Sequence, residues 1–270
     1  MDVNVTNYCT YPEGNGRQVG RGAKRASRRE EDVVSWVRER VGFAPDRVQA
    51  EVLASRSRRG ILNCTRQWGK STVAAAKAVH QAATVARSLT LVVSPSARQS
   101  GEFVMKAEAF VRKLGIRPRG DGENEMSVVF PNGSRIIGLP GNEATVRGFS
   151  AVSLLLVDEA SRVTDEMYKA LRPMLAVSQG ALWLMSTPYG KRGFFYEAWK
   201  GGGEWMRVQA PATECERIPA AYLEEERTTM GERWFRQEYL CEFVDSVCAV
   251  FDRDLIERAI RFDVKPLVFG

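Results

Sequence analysis

Two short stretches hold residue types that could do chemistry together. The first is Leu62 to Thr72, LNCTRQWGKST. An apolar strand candidate, Gly60 to Asn63, runs into a loop that closes with Gly69, Lys70 and Ser71, and a helix-forming run, Thr72 to Ala86, follows at once. The first turn of such a helix has free N–H groups and the positive end of the helix dipole, so it attracts phosphate oxygens. Gly69 lets the backbone come close, Lys70 can reach β- and γ-phosphates, and the Ser71 hydroxyl can bind Mg²⁺: the layout of a phosphate-binding P-loop. One position departs from the consensus, because Cys64 stands where the first Gly is expected.

The second stretch is Val152 to Val157, VSLLLV, which runs directly into Asp158-Glu159-Ala160-Ser161. A hydrophobic strand ending in Asp-Glu is a Walker B pattern. Asp158 is expected to hold Mg²⁺, directly or through water, and Glu159 to orient and deprotonate an attacking water. Alone, the pair reads as an acidic cap on the next helix. With Gly69-Lys70-Ser71 upstream it reads as nucleotide hydrolysis. Glu159 points to an ATPase motor rather than a kinase of this fold, which usually needs no base beside the metal ligand.

These residues need elements to position them. Leu89 to Ser94 (LTLVVS) and Ala181 to Met185 (ALWLM) read as further buried strands, the second ending in Ser186-Thr187-Pro188. Strands that each end in a polar loop followed by a helix predict an α/β protein with a parallel sheet and helices on both faces. Ligands of such sheets sit outside the carboxyl ends of the strands, where Lys70, Ser94, Asp158 and Ser186 all fall. Helical spacing marks Glu30–Val41, Gln49–Ala54, Arg98–Leu114 and Asp165–Ala176. Asn132-Gly133 between Ser127–Phe130 and Arg135–Leu139 is a hairpin signal. From Lys191 the character changes: Trp205 to Gln209 suits an edge strand, and Ala220–Arg227, Glu232–Cys241 and Asp252–Ile260 suit a small helical satellite.

Composition bounds the rest. The chain has 270 residues, 44% hydrophobic and 27% charged, enough for a sizeable core. Net charge is +6 with pI ≈ 9.2, which mildly favours a polyanionic partner. Cys9, Cys64, Cys215, Cys241 and Cys248 form no CxxC pair, and His80 is the single histidine, so free thiols are expected rather than zinc. No apolar run approaches the ~18 residues of a membrane span, and a protein without a membrane partner is expected. Residues 1 to 30 carry Arg17, Arg21, Lys24, Arg25, Arg28 and Arg29 with no acid from Arg17 to Arg29. That pattern suits either a solvated tail or a basic arm. Gln49 could donate to and accept from an adenine edge, or be a surface helix residue.

From about Phe43 to Phe251 the chain resembles the large, motor subunit of viral DNA-packaging terminases. That family's P-loop typically lacks the first Gly and carries Arg-Gln before Gly-Lys, as Arg66-Gln67-Trp68-Gly69-Lys70 does. Leu154 to Ala160 matches its Walker B and Met185-Ser186-Thr187-Pro188 its coupling motif. Val146-Arg147-Gly148-Phe149-Ser150 matches its arginine-finger segment, Gln49 in Pro-x-x-x-Gln its adenine-reading Gln, and Cys241 to Phe251 the end of its lid. The resemblance implies an additive-strand, RecA-like P-loop NTPase with a small helical lid. It implies ATP and Mg²⁺ as cofactors, nucleotide contacts from Gln49 and Arg66 through Thr72, and metal contacts from Ser71 and Asp158. Arg147 is then the arginine finger, acting in trans, with Arg66 as the cis competitor.

The same resemblance implies double-stranded DNA, a homopentameric ring, the portal protein and the small terminase subunit as partners. The place of action is then the host cytoplasm and, transiently, the procapsid portal. Residues 1–30 become a tail, 31–212 the ATPase core, 213–262 the lid, and 263–270 a linker or the start of a nuclease domain whose remainder is not in the chain. The rival is the first half of a DEAD-type helicase, for whose second domain the chain after Pro188 is short. A non-hydrolysing clamp is disfavoured by Glu159.

Overall fold

In the computed structural model, which describes residues 32–124, 126–141 and 148–245, the apolar runs become seven strands. They are β1 (Arg59–Cys64), β2 (Leu89–Ser94), β3 (Ser127–Val129), β4 (Arg135–Pro140), β5 (Leu154–Asp158), β6 (Ala181–Ser186) and β7 (Met206–Ala210). They pair in the order β3-β4-β2-β5-β6-β1-β7. All pairings are parallel except β3 with β4, which forms the expected hairpin around Asn132-Gly133. β2 and β5 are buried at every residue, because helices cover both faces of a parallel sheet. β6 lies between β1 and β5, so it separates the strand leading to Gly69 from the strand ending in Asp158. Met185 pairs with Asp158 and Ser186 with Asn63, which sets the end of β6 beside both.

One face is covered by α1 (Val33–Val41), α2 (Arg47–Ala54), α3 (Lys70–Thr84) and α4 (Ala97–Lys113). Val73, Ala75, Ala76 and Val79 of α3 and Phe103, Ala107 and Val111 of α4 bury against Leu62, Val92, Leu156 and Trp183. Small alanines bring α3 close to the sheet. The other face is covered by α5 (Asp165–Leu171) and α6 (Gly193–Lys200), with Met167, Leu171 and Phe195 against Leu91, Val93, Leu155, Val157 and Leu184. Each fully buried aliphatic of this kind contributes about 1.5–3 kcal/mol, so the sheet is a stiff base for its loops. Gly60 pairs with Trp183, whose indole would lie 2.3 Å from any Cβ at that position. Only glycine lets the tryptophan lie flat over the neighbouring strand.

The strands follow the sequence reading closely, and the helices less so. α2 starts at Arg47 because Asp46 and Gln49 form a capping box. The run Asp165–Ala176 divides into α5 and a 3-10 turn, Arg172–Leu175, because Pro173 has no N–H for a continuing helix. α6 was not foreseen. After β7 come α7 (Ala220–Met230) and α8 (Glu232–Glu238), whose buried cluster among the described residues is Ala212, Leu223 and Phe235. The basic segment 1–30, Arg147 and the expected helix Asp252–Ile260 lie outside the described residues. Within them, no helix is long and apolar enough to cross a membrane.

Candidate nucleotide-binding site

The P-loop leaves β1 at Cys64 and enters α3 at Lys70. Cys64 replaces the consensus glycine without strain. It remains in strand register beside Ala210, with its side chain buried in the core, and burial pushes its thiol well above the usual range. The left-handed turn a glycine would supply comes instead at Gln67 (φ 65°) and Gly69 (φ 98°). Trp68 lies between them with its indole 3% exposed, pinning the loop to the core. Lys70 is buried, and its Nζ donates to the carbonyls of Cys64 (2.7 Å) and Thr65 (3.0 Å). Those bonds hold the ammonium at the mouth of the helix whose first N–H groups lack intrahelical acceptors.

Across the intervening strand, the Ser71 hydroxyl donates to Asp158 Oδ2 at 3.1 Å, and Asp158 Oδ1 accepts the Glu159 N–H at 3.1 Å. Burial raises the Asp158 carboxyl above its ordinary pKa. The neighbouring Glu159 charge adds to this, while Lys70 and the Ser71 hydrogen bond oppose it. A buried carboxylate beside a hydroxyl offers the hard oxygen donors that Mg²⁺ prefers. Glu159 adopts a left-handed backbone (φ 50°), which costs of order 1–3 kcal/mol in a non-glycine residue. Its Oε2 accepts from Ser186 Oγ at 3.5 Å, and Ser186 shares a 2.7 Å hydrogen bond with Ser161. Thr187 is buried with its hydroxyl unpartnered among the described residues, and Pro188 follows, buried.

Of the residues expected from sequence, Gln49, Arg66, Gln67, Trp68, Gly69, Lys70, Ser71, Thr72 and Glu159 all line one cavity of about 700 Å³. Asp158 joins it through Ser71, and Ser186 through Glu159. Gln49 is not a surface residue. It is 2% exposed, with Oε1 on the Asp46 N–H (3.1 Å) and Nε2 on the Trp68 carbonyl (2.8 Å). Arg66 pairs through Nε with Glu238 at the end of α8 (2.9 Å).

The cavity also holds residues that the sequence reading missed: Gln99 and Lys106 of α4, Arg162, and Arg217 from the segment before α7. Arg162 pairs with Glu238 at 3.7 Å and lies over the Tyr189 ring at 4.4 Å. Its place three residues after Glu159 was the available signal. Arg217 and Glu238 carried none, because they arrive from a distant part of the chain.

This architecture has known counterparts. The model of the T4-like-virus-type terminase large subunit, N-terminal, matches residues 61–258. The terminase large subunit of Thermus virus P23-45 is 25% identical over 250 residues, covering 79% of this chain and 51% of that protein. That of Escherichia phage T5 is 24% identical over 170 residues, covering 60% and 39%. The chain thus spans about half the length, or less, of the curated relatives it matches. Among solved structures, the large terminase ATPase domain of Thermus phage P74-26 shares the fold with a TM-score of 0.67 at 22% identity, covering 77% of this chain and 97% of that one. The large terminase of another thermophilic bacteriophage, solved in complex with ADP, gives a TM-score of 0.65 at 13% identity, covering 78% and 57%.

Proposed function

The chain belongs to the N-terminal family of T4-like-virus-type terminase large subunits, and on that footing we propose that it is an Mg²⁺-dependent ATPase that drives double-stranded DNA into a viral procapsid. The observation that carries the reading is the contact of Ser71 with Asp158 across β6, which joins the P-loop to the Asp-Glu strand. A large terminase of the same fold has been solved in complex with ADP, which supports a nucleotide as the ligand.

In this account the first turn of α3 and Lys70 hold the β- and γ-phosphates. Ser71 and Asp158 hold Mg²⁺, which when bound neutralises charge building on the transferred phosphoryl group. Glu159 orients the attacking water and takes its proton. Ser186, hydrogen-bonded to Glu159, ties that base to the coupling motif Ser186-Thr187-Pro188. Arg147 acts in trans from a neighbouring subunit of a pentameric ring, with Arg66 as the cis alternative. An arginine against the γ-phosphate is worth roughly 10³ to 10⁵ in rate. Residues 213–262 act as a lid. The partners are double-stranded DNA, the portal protein and the small terminase subunit, at the portal vertex in the host cytoplasm.

Phosphate release tests the reading. Turnover requires Mg²⁺ and is lost in Lys70→Ala with the fold retained; wild-type turnover in that variant overturns it. Action in trans is tested by mixing Arg147→Ala with Glu159→Ala under ring-forming conditions. Partial recovery of activity supports Arg147, and no recovery returns the role to Arg66.

A further inference from the structure

The Trp68 carbonyl accepts two hydrogen bonds, from Gln49 Nε2 at 2.8 Å and from Arg217 Nη2 at 2.7 Å. Arg217 also faces Asp46, with Nη1 3.7 Å from Oδ2. Asp46 and Gln49 are themselves joined twice, through the Gln49 N–H on Asp46 Oδ1 (2.8 Å) and the Asp46 N–H on Gln49 Oε1 (3.1 Å). The contacts close a ring: Asp46, Gln49, Trp68, Arg217 and back to Asp46. Three separate parts of the chain meet in it, namely the start of α2, the P-loop, and the segment between β7 and α7.

The ring acts on the peptide that opens the phosphate cradle. A peptide unit is planar and trans, so its C=O and N–H point in opposite directions. Fixing the Trp68 carbonyl therefore fixes the direction of the Gly69 N–H, at the N-cap of α3. Space is tight there, since a Cβ on Gly69 would stand 3.2 Å from Gln49 Nε2. The indole of Trp68, buried in the core, prevents the loop from rotating away. Gln49 is inside the fold and Arg217 lies half exposed on the wall of the same cavity.

We propose that Arg217 is a positioning residue of the nucleotide site, which with Gln49 clamps the Trp68 carbonyl and so presets the Gly69 N–H for phosphate. The inference rests on the reading of the P-loop as the ATP site. It assigns the Gln49 amide to the loop rather than to the adenine edge, and it makes Arg217 matter to phosphate and not to the base. Because Arg217 is rooted beside α7, a movement of the helical pair changes phosphate affinity through this one carbonyl.

Calorimetric titration with ADP, GDP and pyrophosphate, each with Mg²⁺, separates the possibilities. A hydrogen bond from a charged donor is worth about a tenfold change in affinity or somewhat more. Arg217→Ala is expected to weaken all three ligands by about that factor and equally, with kcat at saturating ATP close to wild type and a melting temperature lowered by no more than a few degrees. Arg217→Lys recovers part of the loss. Asp46→Asn, which keeps the helix cap but removes the charge facing Arg217, gives a smaller loss with the same indifference to base. Unchanged affinities in Arg217→Ala overturn the proposal. So does a loss for ADP with none for pyrophosphate, which would make Arg217 a base contact. Failure of the wild-type protein to bind any of the three ligands would instead overturn the ATP reading, and this inference with it.

Discussion

The sheet and the helical pair α7–α8 meet at the P-loop, and they are held by different forces. Two apolar layers clamp the sheet, one on each face. The helical pair has a buried cluster of three residues, Ala212, Leu223 and Phe235, and leaves Tyr222 and Trp234 about half exposed. Its attachment at the P-loop is polar, while just beyond α8 Phe243 packs on Phe195, Tyr196 and Trp199 of α6. The Glu238 carboxylate binds Arg66 and Arg162, its carbonyl accepts from Thr65 Oγ1, the Cys241 carbonyl accepts from Asn63 Nδ2, and Arg217 donates to Trp68. Apolar packing has one good arrangement. A polar contact exchanges with water or phosphate at a net cost of only about 0.5–1.5 kcal/mol. Most of these tethers end on the P-loop or the strand that leads to it.

The largest effect expected is at the carboxyl end of the central strand β5. Asp158→Asn lowers turnover by roughly 10³-fold or more, since metal charge stabilisation is worth several kcal/mol. The same change raises the melting temperature of the nucleotide-free protein, because burial and Glu159 both disfavour the Asp158 carboxylate. The asparagine still accepts from the Glu159 N–H and donates to Ser71. A lower melting temperature would show that the buried charge is not a stability cost.

Next are the two cores. Trp183→Ala, beneath Lys77 and against Gly60, costs about 3–5 kcal/mol and shows as a global loss of denaturant stability. Phe235→Ala is expected to lose hydrogen-exchange protection over residues 212–240 only, with the sheet unchanged. Loss across the whole chain would mean that the helical pair is part of the main cooperative unit. Glu238→Gln comes third. Arg66 is about two-thirds exposed, so the change costs about 1 kcal/mol or less by thermal melting.

Last is a pH effect far from the site. Burial pushes the Asp121 carboxyl up, but hydrogen bonds from Asn124, Glu123 and Ser127 outweigh it and hold it at about 2. Its folded pKa is therefore below the unfolded value, so the stabilisation is present above pH ~4 and fades as pH falls toward 2. The stability difference between wild type and Asp121→Asn should shrink over that interval. A difference independent of pH would locate the effect in hydrogen bonding alone.

Much of the site was legible because its chemistry is local. Gly69-Lys70-Ser71 and Asp158-Glu159 are contiguous, and the strands that bear them are apolar throughout. The order of those strands was not legible, because pairing of β1 with β6 joins residues far apart in sequence. α6 escaped for a similar reason. The Phe194 N–H in its first turn is capped by Asp165 Oδ1 at 2.7 Å, from a distant helix rather than from its own flank. Gln49 was read as a base contact or a surface residue. The fold removes the surface reading, since Gln49 is buried with its amide on the Trp68 carbonyl, a contact visible only once Trp68 is placed beside it. Arg217, just before α7, and Glu238, at the end of α8, reach the site from a charged stretch in which nothing distinguishes them from solvated neighbours.

The central claim is that this site binds and hydrolyses ATP with separate residues for each task. It is tested most directly by measuring Mg-ATP affinity and phosphate release together in Glu159→Gln. The side chain acts on water and not on the nucleotide, so the affinity should stay within a few-fold of wild type while the rate falls by about 10² to 10⁴. Phosphate release at the wild-type rate would contradict the account.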